Sequence, residues 1–399
     1  MRGEMNLPKN VLYVIEALEA SGFSADVVGG AVRDFLLGTP SFDYDITTSA
    51  TPEEVKRTFA GHRTLDTGIK HGTVTLMLDG VGYEITTYRT DGAYADGRHP
   101  DTVSFTRSLT EDLARRDFTV NAIAYNPRRG YTDPFSGIPD IERRIIRAVG
   151  EPERRFSEDA LRIMRAVRFA SKLGFAIEPE TAEALRRLAP TLDKISRERI
   201  HVEWRKLLAG KDAYAVISEY REVISAAIPE LSGLPLPPSY TFIDTEPEVR
   251  ELLLFAMSDT PRESFSSAMH TLRCDNKTRV LGETVLSAIS VPLPSTRPAV
   301  AEFLSRSSHE VLDVYLKLSE LLGVISEADA DKISEIATDG NLVYSVSQLA
   351  VSGNDLMHEG LRGREVGEKL EMLLHRVMLG ECENTRVALL RSITTGKNK

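Results

Sequence analysis

Two aspartates, Asp43 and Asp45, are separated by one residue in a stretch that predicts a β-strand over residues 42–47. Because side chains alternate between the two faces of a strand, both carboxylates would lie on the same face. Carboxylate oxygens suit Mg²⁺, and a rigid pair could hold one such ion, or two, against the phosphates of a nucleotide. The spacing therefore predicts a Mg²⁺ site, although the same pattern also occurs in solvated turns and edge strands.

A Gly29-Gly30 turn precedes these aspartates by about a dozen residues and leads into a predicted helix over residues 31–37. Without Cβ atoms, the backbone at Gly29 and Gly30 can approach a phosphate closely, and the first N–H groups of the helix point the same way. Arg33, in the first turns of the helix, could reach the same phosphates or could be a solvated surface residue. The pattern favours a phosphate site beside the metal site.

The arginines Arg162, Arg165 and Arg168 fall on one face of a predicted helix over residues 155–174, capped by Ser157 and ended by Gly174. Such a face is either an anion site or a solvated surface with i, i+4 ion pairs. Asp159 borders it, one turn before Arg162. An aspartate accepts from an exocyclic amine and an arginine donates to ring acceptors, so this pair could read the edge shared by cytosine and adenine.

Three separate stretches of the chain resemble the class II branch of the polymerase-β-type nucleotidyltransferases, which comprises tRNA nucleotidyltransferases (CCA-adding enzymes) and bacterial poly(A) polymerases. The matching stretches are G-G-A-V-R-D followed by L-G and D-Y-D, then R-R-D-F-T-V-N-A, and finally E-D-A-L-R. The resemblance covers about the first half of the chain. It implies a two-metal Mg²⁺ reaction on Asp43 and Asp45, with Gly30 and Arg33 holding the triphosphate.

Further roles follow from the resemblance alone. It implies that Arg116 contacts the nucleotide while Asp117 and Asn121 shape the ribose region. It also implies that Asp159 and Arg162 select C and A as a template would. Two more residues, Arg165 and Arg168, are implied to bind nucleotide phosphate or ribose.

Several other elements are predicted between these motifs. Two β-rich runs, residues 72–79 and 82–89, predict a hairpin, and Glu84 in the second could be either a third carboxylate of the metal site or an exposed strand residue. Residues 91–104 are polar and glycine-rich, which predicts a surface loop similar to the flexible loop of CCA-adding and A-adding enzymes. Residues 111–124 are interpreted as one helix.

The composition of the chain indicates which class of protein it belongs to. The length of 399 residues predicts two or three domains, and a composition of 42% hydrophobic and 27% charged residues is typical of globular proteins. The sequence has no apolar run long enough to span a membrane, so no membrane partner is expected. Only Cys274 and Cys382 are present, which indicates a reducing cytoplasm and excludes a disulfide framework. The net charge is −10, yet residues 141–210 hold 16 Lys and Arg against 11 Asp and Glu. This pattern favours one localised contact with a polyanion.

The predicted fold is an α+β catalytic head with a small mixed sheet over residues 1–149, followed by all-α regions. These are a helical neck over residues 150–210 that carries the nucleotide-selecting helix, and a helical body and tail over residues 211–399 that bind tRNA. The only tryptophan, Trp204, is expected in the core of the neck. No feature of the sequence predicts an obligatory protein partner.

The function expected from these features is template-independent addition of C, C and A to the 3′ end of tRNA, with CTP and ATP as substrates. An A-adding enzyme that works with a separate CC-adding partner would share the same head, neck and loop. A poly(A) polymerase fits less well, because the chain lacks a strongly basic C-terminal tail. A catalytically silent tRNA-binding protein is the alternative from another class.

Overall fold

The computed structural model describes residues 3–92 and 103–394. The chain forms two compact units, residues 1–232 and 233–399. Within the described ranges, no helix combines the length and the apolar character that crossing a bilayer requires. The predicted surface loop over residues 91–104 lies mostly outside the described residues, but its two ends pair as antiparallel strands.

The N-terminal unit contains all eleven strands of the described residues, seven of them in one sheet of order β3-β4-β5-β2-β1-β8-β9. The strands are β1 (Ala25–Val28), β2 (Asp45–Thr48), β3 (Thr64–Gly68), β4 (Thr73–Leu78), β5 (Val81–Thr87), β6 (Arg89–Asp91), β7 (Val103–Phe105), β8 (Ala124–Asn126), β9 (Gly130–Thr132), β10 (Ile145–Ile146) and β11 (Ala176–Ile177). Strands β2 and β5 are parallel, whereas β1 is antiparallel to β2. The predicted small mixed sheet is therefore confirmed.

The predicted hairpin is also confirmed, because β4 and β5 pair in antiparallel register from Thr73 opposite Thr86 to Leu78 opposite Val81. Val74 and Leu76 alternate with half-exposed residues along β4, so one face of the sheet enters the core. The β-rich composition of the two runs is the signal that predicted the hairpin from sequence.

The described residues of the N-terminal unit form eleven α-helices. They are α1 (Lys9–Ala20), α2 (Gly30–Leu36), α3 (Pro52–Thr58), α4 (Leu109–Ala114), α5 (Gly137–Arg143), α6 (Pro152–Glu158), α7 (Leu161–Leu173), α8 (Pro179–Leu188), α9 (Arg197–Leu208), α10 (Ala213–Glu219) and α11 (Arg221–Ala227). Trp204 of α9 is buried in the core, as predicted. Helix α3 begins with a capping box between Thr51 and Glu54.

The prediction of one helix over residues 111–124 is wrong. Helix α4 ends at Ala114, and a short 3₁₀ turn over Thr119–Asn121 leads into β8. The cause is long-range pairing of the intervening backbone: Thr119 N donates to Arg147 O, and Val149 N donates to Asp117 O. A backbone that is hydrogen-bonded to a distant segment cannot also form the i to i−4 bonds of a helix.

The prediction of one helix over residues 155–174 is also wrong, because the chain is extended at Asp159 (φ −143°, ψ 105°) between α6 and α7. The carboxylate of Asp159 accepts a hydrogen bond from Leu161 N at 3.0 Å. Aspartate favours such a cap over a helix interior, so it starts a new helix here. Ser157 accordingly lies in the last turn of α6, whereas Gly174 ends α7 in the left-handed conformation as predicted.

The described residues of the C-terminal unit form helices joined by loops and contain no strand, which agrees with the predicted all-α region. Its helices are α12 (Pro247–Ala256), α13 (Pro261–Thr271), α14 (Asn276–Ala288), α15 (Arg297–Arg306), α16 (His309–Leu321), α17 (Glu327–Thr338), α18 (Gly353–His358), α19 (Arg364–Met378) and α20 (Arg386–Thr394). One apolar cluster of this unit contains Leu356, Leu373 and Leu389. The unit has its own core.

The neck and the start of the predicted body belong to the same compact unit as the head. Strand β10 of the head pairs with β11, which follows α7, and α10 packs against α7. Residues 211–232 thus group with the N-terminal unit. The boundaries at residues 149 and 210 remain predictions.

Candidate active site

The Gly29-Gly30 turn joins β1 to α2 at the edge of the site. Gly29 has φ +72° and ψ −127°, a conformation that L side chains rarely adopt, and its N–H donates to Ile123 O at 3.2 Å. A Cβ atom at Gly29 would lie 3.0 Å from Arg116 Nη1. The turn therefore places backbone and the Arg116 guanidinium side by side.

Asp45 is the first residue of β2, but Asp43 lies in the loop before it, so the prediction that both aspartates share a strand is wrong. The reason is the end of the neighbouring strand: Val28 pairs with Asp45, and the chain then turns away at Gly29. No partner on that side remains for residues 43 and 44, so they leave the sheet.

Three carboxylates nevertheless gather at this end of β2. Ile46 pairs with Ile85 in the parallel β2–β5 register, which places Glu84 beside Asp45 on the same face of the sheet. Burial raises the pKa of Asp45, and the negative charges of Asp43 and Glu84 raise it further while Arg116 opposes them. Within the described part of the chain, none of the three side chains has a hydrogen bond or an ion pair. Carboxylates that repel one another and lack partners suit a cation.

The donor set fits a hard divalent ion that is completed by a substrate. Among the described residues, no group of three or more His, Cys, Asp and Glu side chains is arranged to hold a metal by itself. Mg²⁺ commonly binds one or two carboxylates and completes its shell with waters and phosphate oxygens. Asp43 and Asp45 are the two carboxylates that such a site would use.

Arg116 is a cation whose charge acts on Asp45 and whose side chain makes no hydrogen bond within the described residues. Its Nη2 lies 3.8 Å from Asp112 Oδ2, and its buried Nε has no hydrogen-bond partner among residues 3–92 and 103–394. Burial lowers the pKa of Arg116, which the charges of Asp112 and Asp45 partly offset. An anion with acceptor oxygens would satisfy these donors.

Arg33 is not a surface residue, because it is 3% exposed. Its Nε donates to Asp34 Oδ1 at 2.8 Å, and its Nη1 donates to Asn121 Oδ1 at 2.5 Å. A Cβ atom at Gly30 would lie 3.7 Å from Arg33 Nη2, so the side chain folds back towards the start of its own helix. The guanidinium is held beside the Gly29-Gly30 turn.

Asp117 connects this region to α7. It accepts from Asn121 Nδ2 at 3.1 Å, from Phe118 N at 2.8 Å and from Arg165 Nε at 2.8 Å. Burial raises the pKa of Asp117, but the Arg165 charge and these hydrogen bonds outweigh burial and hold it well below its ordinary value. The carboxylate stays ionised and links Arg165 through Asn121 to Arg33.

The three arginines of α7 do not form a solvated face. Arg162 and Arg168 are 8% and 7% exposed, and only Arg165 is substantially open. Arg168 Nε lies 2.5 Å from Glu203 Oε2, and the Arg168 guanidinium carbon lies 3.7 Å from the Phe169 ring centre. Contacts with neighbouring side chains therefore hold these arginines in place.

The predicted base-reading pair is not in mutual contact. Arg162 Nη1 donates to Glu158 Oε2 at 2.7 Å, as the i, i+4 alternative predicted, and to Arg155 O at 3.0 Å. Asp159 Oδ2 instead accepts from Arg199 Nη2 of α9 at 2.8 Å. Both residues lie at the α6–α7 junction, and both are mostly buried.

Sequence reasoning missed Glu203 and Arg199 of α9. Glu203 falls at helical spacing between Ile200 and Leu207, and all three are buried. A carboxylate within an apolar stripe is the signal that could have identified a buried ion-pair partner. Arg199 carries no comparable signal, because its partner Asp159 is forty residues away in sequence.

Several known proteins resemble this chain over most of its length. The family model of the poly A polymerase head domain matches residues 25–147, and a model described as the probable RNA and SrmB-binding site of polymerase A matches residues 174–231. The CCA-adding enzyme of Lactobacillus delbrueckii subsp. bulgaricus is 39% identical over 385 residues, which cover 94% of this chain and 95% of that protein. The CCA-adding enzyme of Latilactobacillus sakei is 37% identical, with 96% of each chain covered.

Solved structures give the same result. The crystal structure of the Bacillus stearothermophilus CCA-adding enzyme in complex with CTP superposes with a TM-score of 0.79 at 35% identity, covering 99% of this chain and all of that one. A CCA-adding enzyme in complex with ATP has a TM-score of 0.69 at 21% identity and supports the fold alone. The likeness extends over both units of the chain.

Proposed function

This chain belongs to the family of CCA-adding enzymes, the tRNA nucleotidyltransferases, and we propose that it adds C, C and A stepwise to the 3′ end of tRNA from CTP and ATP. The observation that carries the proposal is the meeting of three features at one edge of the sheet. These are the Gly29 turn, the Arg116 guanidinium 3.0 Å from where a Gly29 Cβ would lie, and the Asp43 and Asp45 carboxylates, which have no hydrogen bond or ion pair among the described residues.

In the proposed reaction the 3′-hydroxyl of tRNA attacks the α-phosphate of the nucleotide, and pyrophosphate leaves. Arg116 offers free donors to the triphosphate, and the Gly29-Gly30 backbone can approach it without a Cβ atom. Arg33 supports the same turn through Asp34 and Asn121. These groups orient the α-phosphate for in-line attack.

Asp43 and Asp45 would hold the divalent ions, which we propose to be two Mg²⁺, and Glu84 is a candidate third ligand. When bound, such ions activate the attacking hydroxyl and stabilise the leaving pyrophosphate. The raised pKa of Asp45 and its neighbouring negative charges fit this role, since a cation would relieve their repulsion.

Selection between nucleotides is assigned to the α6–α7 junction. Asp159 would accept the amino group common to cytosine and adenine, and Arg162 would donate to the ring acceptor beside it. For Arg162 this requires sharing its donors with Glu158. Arg165 and Arg168 would contact nucleotide phosphate or ribose from the same helix.

We further propose that the helical body and tail hold tRNA, that no obligatory protein partner is needed, and that the protein works in the cytoplasm. The two free cysteines are consistent with a reducing compartment. The match of residues 174–231 to a probable RNA-binding model and the local excess of cations in residues 141–210 support an RNA contact that includes the neck.

The test uses three tRNA transcripts that end before the first C, after one C, and after both. Each is incubated with labelled CTP, labelled ATP or both. Extension of all three to a complete CCA end, with ATP stopping after one residue, is the expected result. Addition of A only to the transcript that already ends in CC would identify an A-adding enzyme, long A tracts a poly(A) polymerase, and no incorporation a silent tRNA-binding protein.

A further inference from the structure

Asp159 lies between two helices in extended backbone, so neither helix fixes its side chain. Two hydrogen bonds do so instead. Its Oδ1 accepts from Leu161 N at 3.0 Å, and its Oδ2 accepts from Arg199 Nη2 at 2.8 Å. Only the second of these comes from outside the junction, and it therefore sets the direction of the carboxylate relative to α9.

Arg199 itself is incompletely satisfied. It is the third residue of α9, and its side chain is 25% exposed. Its Nη1 is buried and has no hydrogen-bond partner in the part of the chain that the structure describes. A buried guanidinium nitrogen without an acceptor is unfavourable in a folded protein, so it calls for an explanation.

We propose that Arg199 is a positioning residue for nucleotide selection, which holds the Asp159 carboxylate in the orientation that reads the amino group of the incoming base. This inference rests on the proposed function. Each Asp159 oxygen has spare acceptor capacity after its one bond, so an exocyclic amine can still be accepted. An acceptor on the bound nucleotide would also satisfy the buried Nη1 of Arg199.

The physical reason for a gain in selectivity is the rigidity of the carboxylate. Cytosine presents an amino donor where uracil presents a carbonyl acceptor, and a fixed carboxylate repels that carbonyl. A carboxylate that can rotate escapes the repulsion and tolerates uracil. Arg199 would thus improve selectivity mainly by disfavouring the wrong nucleotide, and less by favouring the right one.

A purely structural role for Arg199 predicts a different result. If the contact only anchored α9 to the α6–α7 junction, its loss would lower stability and slow the reaction with every nucleotide alike. The ratio of kcat/KM for correct and incorrect nucleotides separates the two roles, because a uniform defect cancels in the ratio.

The experiment measures kcat/KM for CTP and UTP with the full-length chain and the transcript that ends before the first C. The variants are Arg199→Ala and Arg199→Gln, with Asp159→Ala as the limit of lost selection. Arg197→Ala is the matched control, because Arg197 is on the same helix and donates to a backbone carbonyl, Ala227 O, at 3.0 Å. Folding of every variant is checked by circular dichroism and thermal unfolding.

We expect the preference for CTP over UTP to fall by about ten- to a hundredfold in Arg199→Ala, the range of one charged hydrogen bond. Arg199→Gln, which keeps one neutral donor, should lie between that variant and the wild type. Arg197→Ala should keep the preference within about twofold. An unchanged preference in Arg199→Ala, or an equal loss in Arg197→Ala, would overturn the inference.

If Arg199→Ala does not fold, Arg199→Gln decides, and wild-type selectivity in that variant would refute the positioning role. The proposed function fails separately, when the wild-type chain does not extend the transcripts with CTP and ATP. A wild type that builds CCA accurately, together with an accurate Arg199→Ala variant, would defeat only the inference about Arg199.

Discussion

At the scale of single residues, the end of β2 concentrates negative charge that has no hydrogen-bond or ion-pair partner in the described part of the chain. Burial and the charges of Asp43 and Glu84 raise the pKa of Asp45, and Arg116 is the cation that opposes them. A folded protein tolerates such a cluster when a ligand compensates it. We therefore expect the aspartates to serve the reaction rather than the stability of the fold.

Replacing Asp43 or Asp45 with Asn should lower kcat for CTP and ATP incorporation by about a thousandfold or more, because each change would remove one of the proposed ligands of the catalytic ions. Binding of tRNA, measured by filter retention, should change little. Asp66→Asn is the control, since Asp66 is an exposed aspartate of the same sheet that pairs with Lys56. Normal incorporation by either active-site variant would refute the metal assignment.

Asp117 provides a test of the network that links Arg33 to Arg165. Asp117→Asn should lower the free energy of unfolding at neutral pH by about 1–3 kcal/mol, because the charged hydrogen bonds with Arg165 are lost. The pKa of Asp117 is depressed in the folded state, so its contribution is present above the ordinary value of 3.8 and is lost as the pH falls below it.

The deficit of Asp117→Asn relative to the wild type should therefore shrink between pH 6 and pH 3, as measured by urea unfolding. Asp193→Asn, at an exposed site of the same unit, should show almost no deficit at either pH. A deficit that stays constant over this range would show that the ionised carboxylate is not what stabilises the network.

At the scale of elements, the site is assembled by chain turns at the ends of strands and helices. The β1 to α2 turn brings Arg116 beside the backbone, and the α6–α7 break frees Asp159 from a helix. Both turns have a local cause in residue type, a glycine in one case and a capping aspartate in the other. Their consequence is the convergence of segments that are distant in sequence.

Gly29→Ala should raise KM for CTP and ATP, because a Cβ there would press on Arg116 at 3.0 Å. The positive φ of +72° should also cost about 1–3 kcal/mol in stability. Gly38→Ala is a matched control at the other end of α2, with φ +71° but no heavy atom within 4 Å of the added Cβ.

The two variants should therefore lose similar stability in thermal unfolding, while only Gly29→Ala shows the KM effect in steady-state incorporation assays. Equal KM values for the two would mean that backbone strain, and not the contact with Arg116, governs nucleotide binding at the turn.

At the scale of the whole molecule, charge is unevenly divided between the two units. Residues 1–232 carry 32 Lys and Arg and 35 Asp and Glu, whereas residues 233–399 carry 17 and 24. The local cationic excess in residues 141–210 belongs entirely to the first unit. A polyanion should therefore find its main electrostatic contact there, with the second unit contributing by shape.

Arg187→Gln should weaken tRNA binding and reduce the slope of log affinity against log salt by a little under one, the value for one phosphate contact. Lys332→Gln is the matched control, because both cations are exposed and each pairs with a carboxylate, Glu153 or Asp329. Titrations of tRNA binding at several salt concentrations measure the affinity and the slope for each variant. A larger effect of Lys332→Gln would place the main contact on the second unit.

The sequence by itself determined the elements and motifs that depend on near neighbours. The β4–β5 hairpin, the burial of Trp204 and the end of α7 at Gly174 follow from β-rich composition, helical spacing and backbone preference, all of which act over a few residues. The family motifs are local strings as well, and they led to the mixed sheet and the all-α remainder.

Only the tertiary structure decided where those motifs sit and what they touch. Asp43 leaves the strand because β1 ends at Val28, and residues 115–121 leave the helix because their backbone pairs near Arg147. Arg33 is hydrogen-bonded to Asn121, and Asp159 to Arg199, through contacts that span 88 and 40 residues. The burial of a side chain and the identity of its hydrogen-bond partner depend on segments that are distant in sequence. A local sequence pattern does not specify which segments these are.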